Sequence, residues 1–198
     1  MSKILMLICG ILFSSAAMAQ DYGLTVGVHQ TTATTDVATS GGGWMDGTTG
    51  SMSGSLGYDL GLTASFELIP NFRFRTGFLY DYMPADYKIT AGPHGTGTLG
   101  VRFSYIDIPV NAQYNFTQMF GIYGGLIVGV KASDNANVPS GYQDSPNAKA
   151  LMPFYNVGVN FLFNDLIGFD VYYKGGIGSF ADDFKNFSTV GMHFIYWL

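Results

Sequence analysis

Three histidines and a thin scatter of charges are the side chains of this sequence best equipped for chemistry. The histidines are His29, His94 and His193. Two facing imidazoles begin a zinc site, but such a site needs further protein ligands. The sequence places no third ligand beside His29 and His193. The His-x-Ser of lipid A hydrolases is absent, as are Gly-x-Ser-x-Gly and His-Glu-x-x-His. Neither a hydroxyl nucleophile nor a hydrolytic zinc is therefore spelled out. No catalytic residue, metal or cofactor is assigned, and the chain reads as a non-enzyme. Cys9 is the single cysteine, which leaves no disulfide or thiolate cluster to build. The remaining candidates are Asp59, Glu67, Arg73, Arg75, Asp81, Asp107, Asp170 and Lys174, each set in a stretch where polar and apolar residues alternate.

That alternation defines the elements that hold them. In Leu56-Gly-Tyr-Asp-Leu-Gly-Leu-Thr-Ala-Ser-Phe-Glu-Leu68 every even position is apolar, and every odd one is glycine, hydroxyl or acid. A period of two marks a strand with one apolar and one polar face. The stretch is longer than the usual strand of about five or six residues and suits a tilted membrane-crossing strand of about nine to eleven residues with an extension. The pattern recurs from Tyr22 to Thr31. It returns at Phe72, Phe74, Phe78, Tyr80 and Tyr82, and again from Ile106 to Phe116. Further strands follow Phe120, Ile122, Leu126, Val128 and Val130, then Tyr155 to Phe163, then Ile167 to Tyr173. The last alternates Val190, Met192, Phe194, Tyr196 and Leu198 to the final residue.

The connections come in two kinds. Apolar parity is kept across Ile69-Pro-Asn71, Thr117-Gln-Met119 and Asn164-Asp-Leu166, so three-residue turns are expected there. Long polar connections are expected at about 32–54, 84–100, 132–150 and 178–186. Short turns at one end and long loops at the other predict an all-β, eight-stranded antiparallel transmembrane up-and-down barrel, with short periplasmic turns and long extracellular loops. In the first long loop, Trp44 within Gly41-Gly-Gly-Trp-Met-Asp-Gly47 is the candidate surface contact.

The choice of face follows from composition. Only 12% of residues are charged and 16% are aromatic, against about 25% charged in soluble domains. The polar face, mostly glycine, serine, threonine and asparagine, fits a crowded lumen. The face rich in phenylalanine and tyrosine fits lipid. The lumen is then expected to hold His29, Asp59, Glu67, Arg73, Arg75, Asp81, Asp107, Asp170, Lys174 and His193, and buried charges there must pair. With the Ile69–Asn71 turn, Glu67 falls opposite Arg73 and Ser65 opposite Arg75, so a Glu67–Arg73 pair is expected, joined by Arg75. The same register sets Asp59 against Asp81 near the outer mouth. Like charges there require a cation or basic side chain between them, or solvent around them. Side chains fill a lumen of eight strands, which argues against a wide pore.

The first residues read as a leader. Lys3, the apolar run Ile4–Phe13 and the small-residue site Ala17-Met-Ala19 form a secretory signal expected at 1–19, with one barrel domain over 20–198. No later stretch approaches the length of a membrane helix. Fourteen acidic side chains against nine basic ones argue against nucleic-acid partners.

Proline within a strand is unusual, and Tyr105-Ile-Asp-Ile-Pro-Val-Asn-Ala-Gln-Tyr-Asn-Phe116 carries one at Pro109. This segment resembles the Tyr-Leu-Glu-Ile-Pro-Leu stretch of the PorT-like outer-membrane barrels of Bacteroidetes, which overlap the small OmpX- and OmpA-type barrels. Gly158-Val-Asn-Phe161 and the closing strand are similar to the same family. The closing residues Met192, Phe194, Tyr196 and Leu198 resemble the terminal strand that the outer-membrane assembly machinery reads, with leucine where phenylalanine is usual. The resemblance implies a Gram-negative outer membrane. The partners expected are that machinery, outer-membrane lipid and lipopolysaccharide, around a monomer. The expected role is envelope structure or surface contact through the outer loops; a narrow channel and a secretion or assembly accessory are the alternatives.

Overall fold

The computed structural model describes residues 21–35, 49–91, 97–137, 148–179 and 184–198. The leader, Trp44 and His94 lie outside the described residues. The strands are β1 (Asp21–Thr35), β2 (Thr49–Gly54), β3 (Leu56–Ile69), β4 (Phe72–Ala91), β5 (Gly97–Asn115), β6 (Phe120–Asn137), β7 (Leu151–Asn164), β8 (Ile167–Gly176) and β9 (Phe184–Trp197). Their hydrogen-bonded order is β2-β4-β3-β1-β9-β8-β7-β6-β5, and β4 also pairs with β5, which closes the sheet. Eight of the segments are the staves of an antiparallel barrel. The ninth, β2, continues β3 outward along β4. Tyr58 of β3 lies opposite Tyr82, and Gly54 of β2 lies opposite Ala85. One extra residue on the β2–β3 side makes a bulge at Ser55, the usual way to bend a strand at a barrel rim.

The outer face is the apolar one. Leu60 and Leu62 on β3, Val26 on β1, Leu126 on β6, Val157 on β7 and Val190 on β9 are more than half exposed, an aliphatic band that only lipid can cover. A phenylalanine-rich girdle rims it at the short-turn end, with Phe116 stacked on Phe120 at 5.8 Å and Phe120 beside Phe161 at 5.3 Å. A tyrosine girdle rims the other side, with Tyr58 stacked on Tyr82 at 5.1 Å and Tyr155 beside Tyr173 at 5.9 Å. Aromatic rings thus flank the aliphatic band on both sides, as at the two interfaces of a membrane barrel.

The turns differ in detail from the three-residue expectation. Between β3 and β4 the register shifts between Glu67 and Ile69, so a bulge at Leu68 joins a two-residue turn, Pro70–Asn71. Asn71 takes the left-handed conformation at φ 69°, which asparagine tolerates. The β7–β8 turn is Asp165–Leu166, with a bulge at Phe163. There Asn164 Oδ1 accepts the amides of Leu166 and Ile167 at 2.9 and 2.8 Å. Each bulge keeps the apolar residues on one face, which is why parity alone suggested three residues. Thr117–Met119 does form a three-residue loop, since the amide of Phe116 donates to the carbonyl of Phe120 at 3.0 Å.

The larger correction concerns the outer connections. Much of 84–100 and part of 132–150 are strand, not loop: β4 runs 20 residues and β5 runs 19. Twenty residues at about 3.3 Å each, tilted by about 40°, span roughly 50 Å, about twice a ~25 Å apolar band. Beyond the membrane neither face sees lipid, so apolar alternation fades while the ladder bonds continue. The β4–β5 ladder is interrupted only opposite Pro109 and Ile108, where Gly77 and Phe78 go unpaired in the register. Proline has no amide to donate there.

Candidate functional site

The lumen is where this sequence concentrates its buried chemistry. β4 and β8 face each other across it, with three strands between them on each side of the ring. Both are crossed by charge. β4 carries Arg75 and, further out, Asp81; β8 carries Asp170 and, further out, Lys174. Arg75 donates to Asp170 at 2.8 Å, and Lys174 bonds Asp81. Two ion pairs of opposite sense therefore span the barrel at two levels.

Each pair recruits its surroundings. At the inner level Arg75 also donates to Gln113 at 3.0 Å, and Asn160 Nδ2 donates to Asp170 at 2.6 Å. The guanidinium lies 4.9 Å from the centre of the Tyr123 ring, a cation–π contact between two buried side chains. At the outer level the Lys174 ammonium also donates to Asp107 at 2.9 Å, and His29 Nε2 is 2.9 Å from Asp81. Between the levels, Asp59 accepts from the Tyr172 hydroxyl at 3.1 Å and meets His193 Nε2 at 3.1 Å. The His193 ring stacks on Tyr172 with centroids 4.3 Å apart. Gly27 makes room for this contact, because a Cβ on it would come within 2.4 Å of Asp59 Oδ1 and 2.5 Å of His193 Cδ2.

Asp59 and Asp81 are register partners, as parity required. They are not solvated at an open mouth, however. Both are buried, and Lys174, His29 and His193 supply the basic groups that like charges demand. His29 and His193 do not face each other; they serve different carboxylates, Asp81 and Asp59. Among the described residues no group of three or more His, Cys, Asp or Glu is placed to hold a metal ion.

Glu67 and Arg73 are opposite each other in the register, but the side chains sit at the turn-end rim. Glu67 is exposed there, and Arg73 forms its ion pair with Asp21 of β1. Arg75 turns inward to Asp170 instead of joining them. The rim opens into a vestibule of about 210 Å³ whose lining includes Asp21, Arg73, Asp165 and Trp197.

An apolar plug above the ionic levels was not anticipated. Met83, Phe103, Tyr105, Met152, Phe154 and Phe187 are buried together inside the outer half of the barrel. Phe154 meets Tyr105 edge-on at 6.2 Å and Phe187 at 5.8 Å. The Lys174 ammonium rests 4.7 Å from the Phe154 ring centre, which ties the plug to the charges below. The Tyr105 hydroxyl donates to the Lys149 carbonyl at 2.8 Å. The signal was available, since Phe103 and Tyr105 share parity with Asp107, the lumen parity of β5. On the outside of the closing strand, Met192, Phe194, Tyr196 and Leu198 are exposed.

A closed antiparallel sheet with an aliphatic belt, two aromatic girdles and an ionic interior is a transmembrane β-barrel, the class that resides in the outer membrane. The sequence agrees: the model for the outer membrane protein beta-barrel domain matches residues 18–195, and the chain belongs to that family. No curated protein matches it by sequence. Among solved structures, Ail of Yersinia pestis, in complex with the heparin analogue sucrose octasulfate, is 13% identical with a TM-score of 0.51, covering 90% of this chain and 98% of Ail. Neisserial surface protein A is 17% identical over 88% of this chain and 96% of its own, with a TM-score of 0.49. OprG of Pseudomonas aeruginosa is 12% identical over 91% and 95%, with a TM-score of 0.47. The Ail likeness is one of fold.

Proposed function

We propose that this protein is a non-catalytic, closed-lumen barrel that acts in envelope structure or surface contact through its outer hairpins. The observation that carries the reading is the filled cross-section. Cross-lumen ion pairs occupy two levels, and the plug of Phe103, Tyr105, Phe154 and Phe187 covers them, while β4 and β5 continue well beyond the apolar belt. A solute would have to part a buried ion pair and an apolar layer in turn, each costing several kcal/mol. The Pro109 segment supports a place beside the PorT-like barrels of Bacteroidetes. A leader over 1–19 is part of the same reading, as are a monomeric state and contact with lipopolysaccharide.

The test has two arms. In planar bilayers the purified protein gives no steady single-channel steps, and regular steps would replace this reading with the narrow channel. In a deletion strain, the resistance of cells to detergent and to large antibiotics is compared after complementation with the intact chain or with a β4–β5 hairpin shortened at the level of Ala85. Rescue by both variants assigns an envelope-structural role to the barrel wall, and rescue by the intact chain alone assigns the role to the hairpin. No phenotype, together with altered exported proteins, would favour the secretion accessory.

A further inference from the structure

The aliphatic belt carries a dent. On the outer wall of β5 to β8 lies an apolar groove of about 690 Å³. Its two sides are neighbouring rows of outward-facing residues. Ala112, Gly124, Val157 and Tyr173 are register partners in successive strands. Tyr114, Ile122, Val159 and Val171 form the next such row, nearer the short turns. Both rows line the groove. With strands about 4.8 Å apart, the stretch from β5 to β8 is about 14 Å long.

The dent comes from Gly124. Glycine weakens a strand, and one in a strand interior often marks a close approach by another group. At other strand glycines that approach is internal. Gly175, also on the lipid face, lies under the Tyr155 ring, and a Cβ there would stand 2.4 Å from its Cζ. On the lumen face of β6, a Cβ on Gly129 would come within 2.7 Å of the Phe154 ring. A Cβ on Gly124 would meet only the Asn156 carbonyl, at 3.3 Å. No described side chain comes within 4 Å of that position. Packing within the barrel therefore gives no reason for glycine there, and its register partner Ala112 is hardly larger.

We propose that this groove seats one acyl chain of a phospholipid from the inner leaflet. The groove is continuous with the belt that lipid covers, and its walls are apolar. Ala112 and Gly124 stand three residues from Asn115 and four from Phe120, the short-turn ends of their strands. At about 3.3 Å per residue and a tilt of about 40°, that is roughly 8–10 Å into a ~25 Å band. This depth belongs to the leaflet on the periplasmic side, which is built of phospholipid and not of lipopolysaccharide. Shape selects a chain over a second barrel. The groove runs across the strands and curves with the wall from β5 to β8, a path that a flexible chain can follow and another convex wall cannot. Expulsion of water contributes nothing here, because lipid tails are as apolar as the wall. Retention comes from dispersion contacts along a fitted channel. The site is independent of the outer hairpins and of any role assigned to them.

The full-length barrel, extracted from outer membranes in mild detergent, tests this by native mass spectrometry. One phospholipid stays bound to each barrel. Gly124→Leu fills the groove and lowers phospholipid affinity roughly tenfold, because most of the chain's contacts with the channel are lost. Val26→Leu, on the opposite wall, leaves it unchanged, and Ala112→Leu is the second filling variant. Labelling needs no variant at all. In phosphatidylcholine vesicles, a phospholipid with a diazirine in its acyl chain labels Ile122 and Val159 well above Val26. Uniform labelling around the barrel would overturn the proposal, as would retention unchanged in a folded filling variant. Lipopolysaccharide retained in place of phospholipid would overturn it in favour of the outer leaflet. A dimer that Gly124→Leu dissolves would overturn it in favour of a second copy.

Discussion

Lys174→Met puts the buried ion network under the most direct strain. Lys174 is 2% exposed, donates to Asp107 at 2.9 Å and is bonded to Asp81. Methionine keeps most of the volume and removes the charge, so packing against Phe154 is largely preserved. Two carboxylates are then left buried with only His29 to compensate. Breaking a buried pair from one side costs about 3–5 kcal/mol, roughly two to four orders of magnitude in the folding equilibrium. Urea unfolding in detergent micelles, followed by tryptophan fluorescence and by the heat-dependent gel shift, reads this loss. Adding Asp81→Asn and Asp107→Asn to Lys174→Met removes the stranded charges and restores most of it, because a neutralised triad is often no less stable than the charged one. A single variant within about 1 kcal/mol of wild type would refute a dry lumen. A triple variant as unstable as the single would show that the loss is not electrostatic.

Other perturbations probe the faces and the ends. Val26→Arg, in the middle of the lipid belt, costs about 2–4 kcal/mol in vesicles, whereas Leu56→Arg beyond the tyrosine girdle costs about 0–1; equal costs would mean that the belt is misplaced. Gly27→Val drives a side chain into the Asp59–His193 contact and removes the fast-migrating folded form on unheated gels, while Gly178, whose Cβ would meet nothing within 4 Å, retains the folded form when replaced by asparagine. An epitope inserted at His94 is reached by antibody on intact cells, and one inserted between Asp165 and Leu166 only after permeabilisation. The reverse pattern would invert the barrel.

Much of the wall was legible because parity is a local property. Glu67 opposite Arg73 and Asp59 opposite Asp81 follow from one turn and a period of two. The partners across the lumen were not legible, because alternation tells which face a side chain occupies but not which distant strand it meets. That depends on closure and stagger, which put Arg75 next to Asp170 and leave Arg73 at the rim with Asp21. The outer hairpins escaped for a different reason. Strand signals in a membrane barrel come from lipid on one side, and the stretches 85–91 and 97–101 lie beyond it. Phe103 and Tyr105 show how a second apolar set can occupy the parity of Asp107, which alternation marks as the polar face.

The span of the ionic contacts along the chain bears on how the barrel is born. Lys174 is 93 residues from Asp81, Asp170 is 95 from Arg75, and Tyr172 is 113 from Asp59. None of these can form in a growing hairpin or in a sheet still open at one seam. An unclosed intermediate would present Asp59, Asp81 and Asp107 without their β8 and β9 partners, so its energy stays high until the last staves arrive. Membrane insertion is thereby made all-or-none, and a chain truncated before β8 has no resting place part-way in.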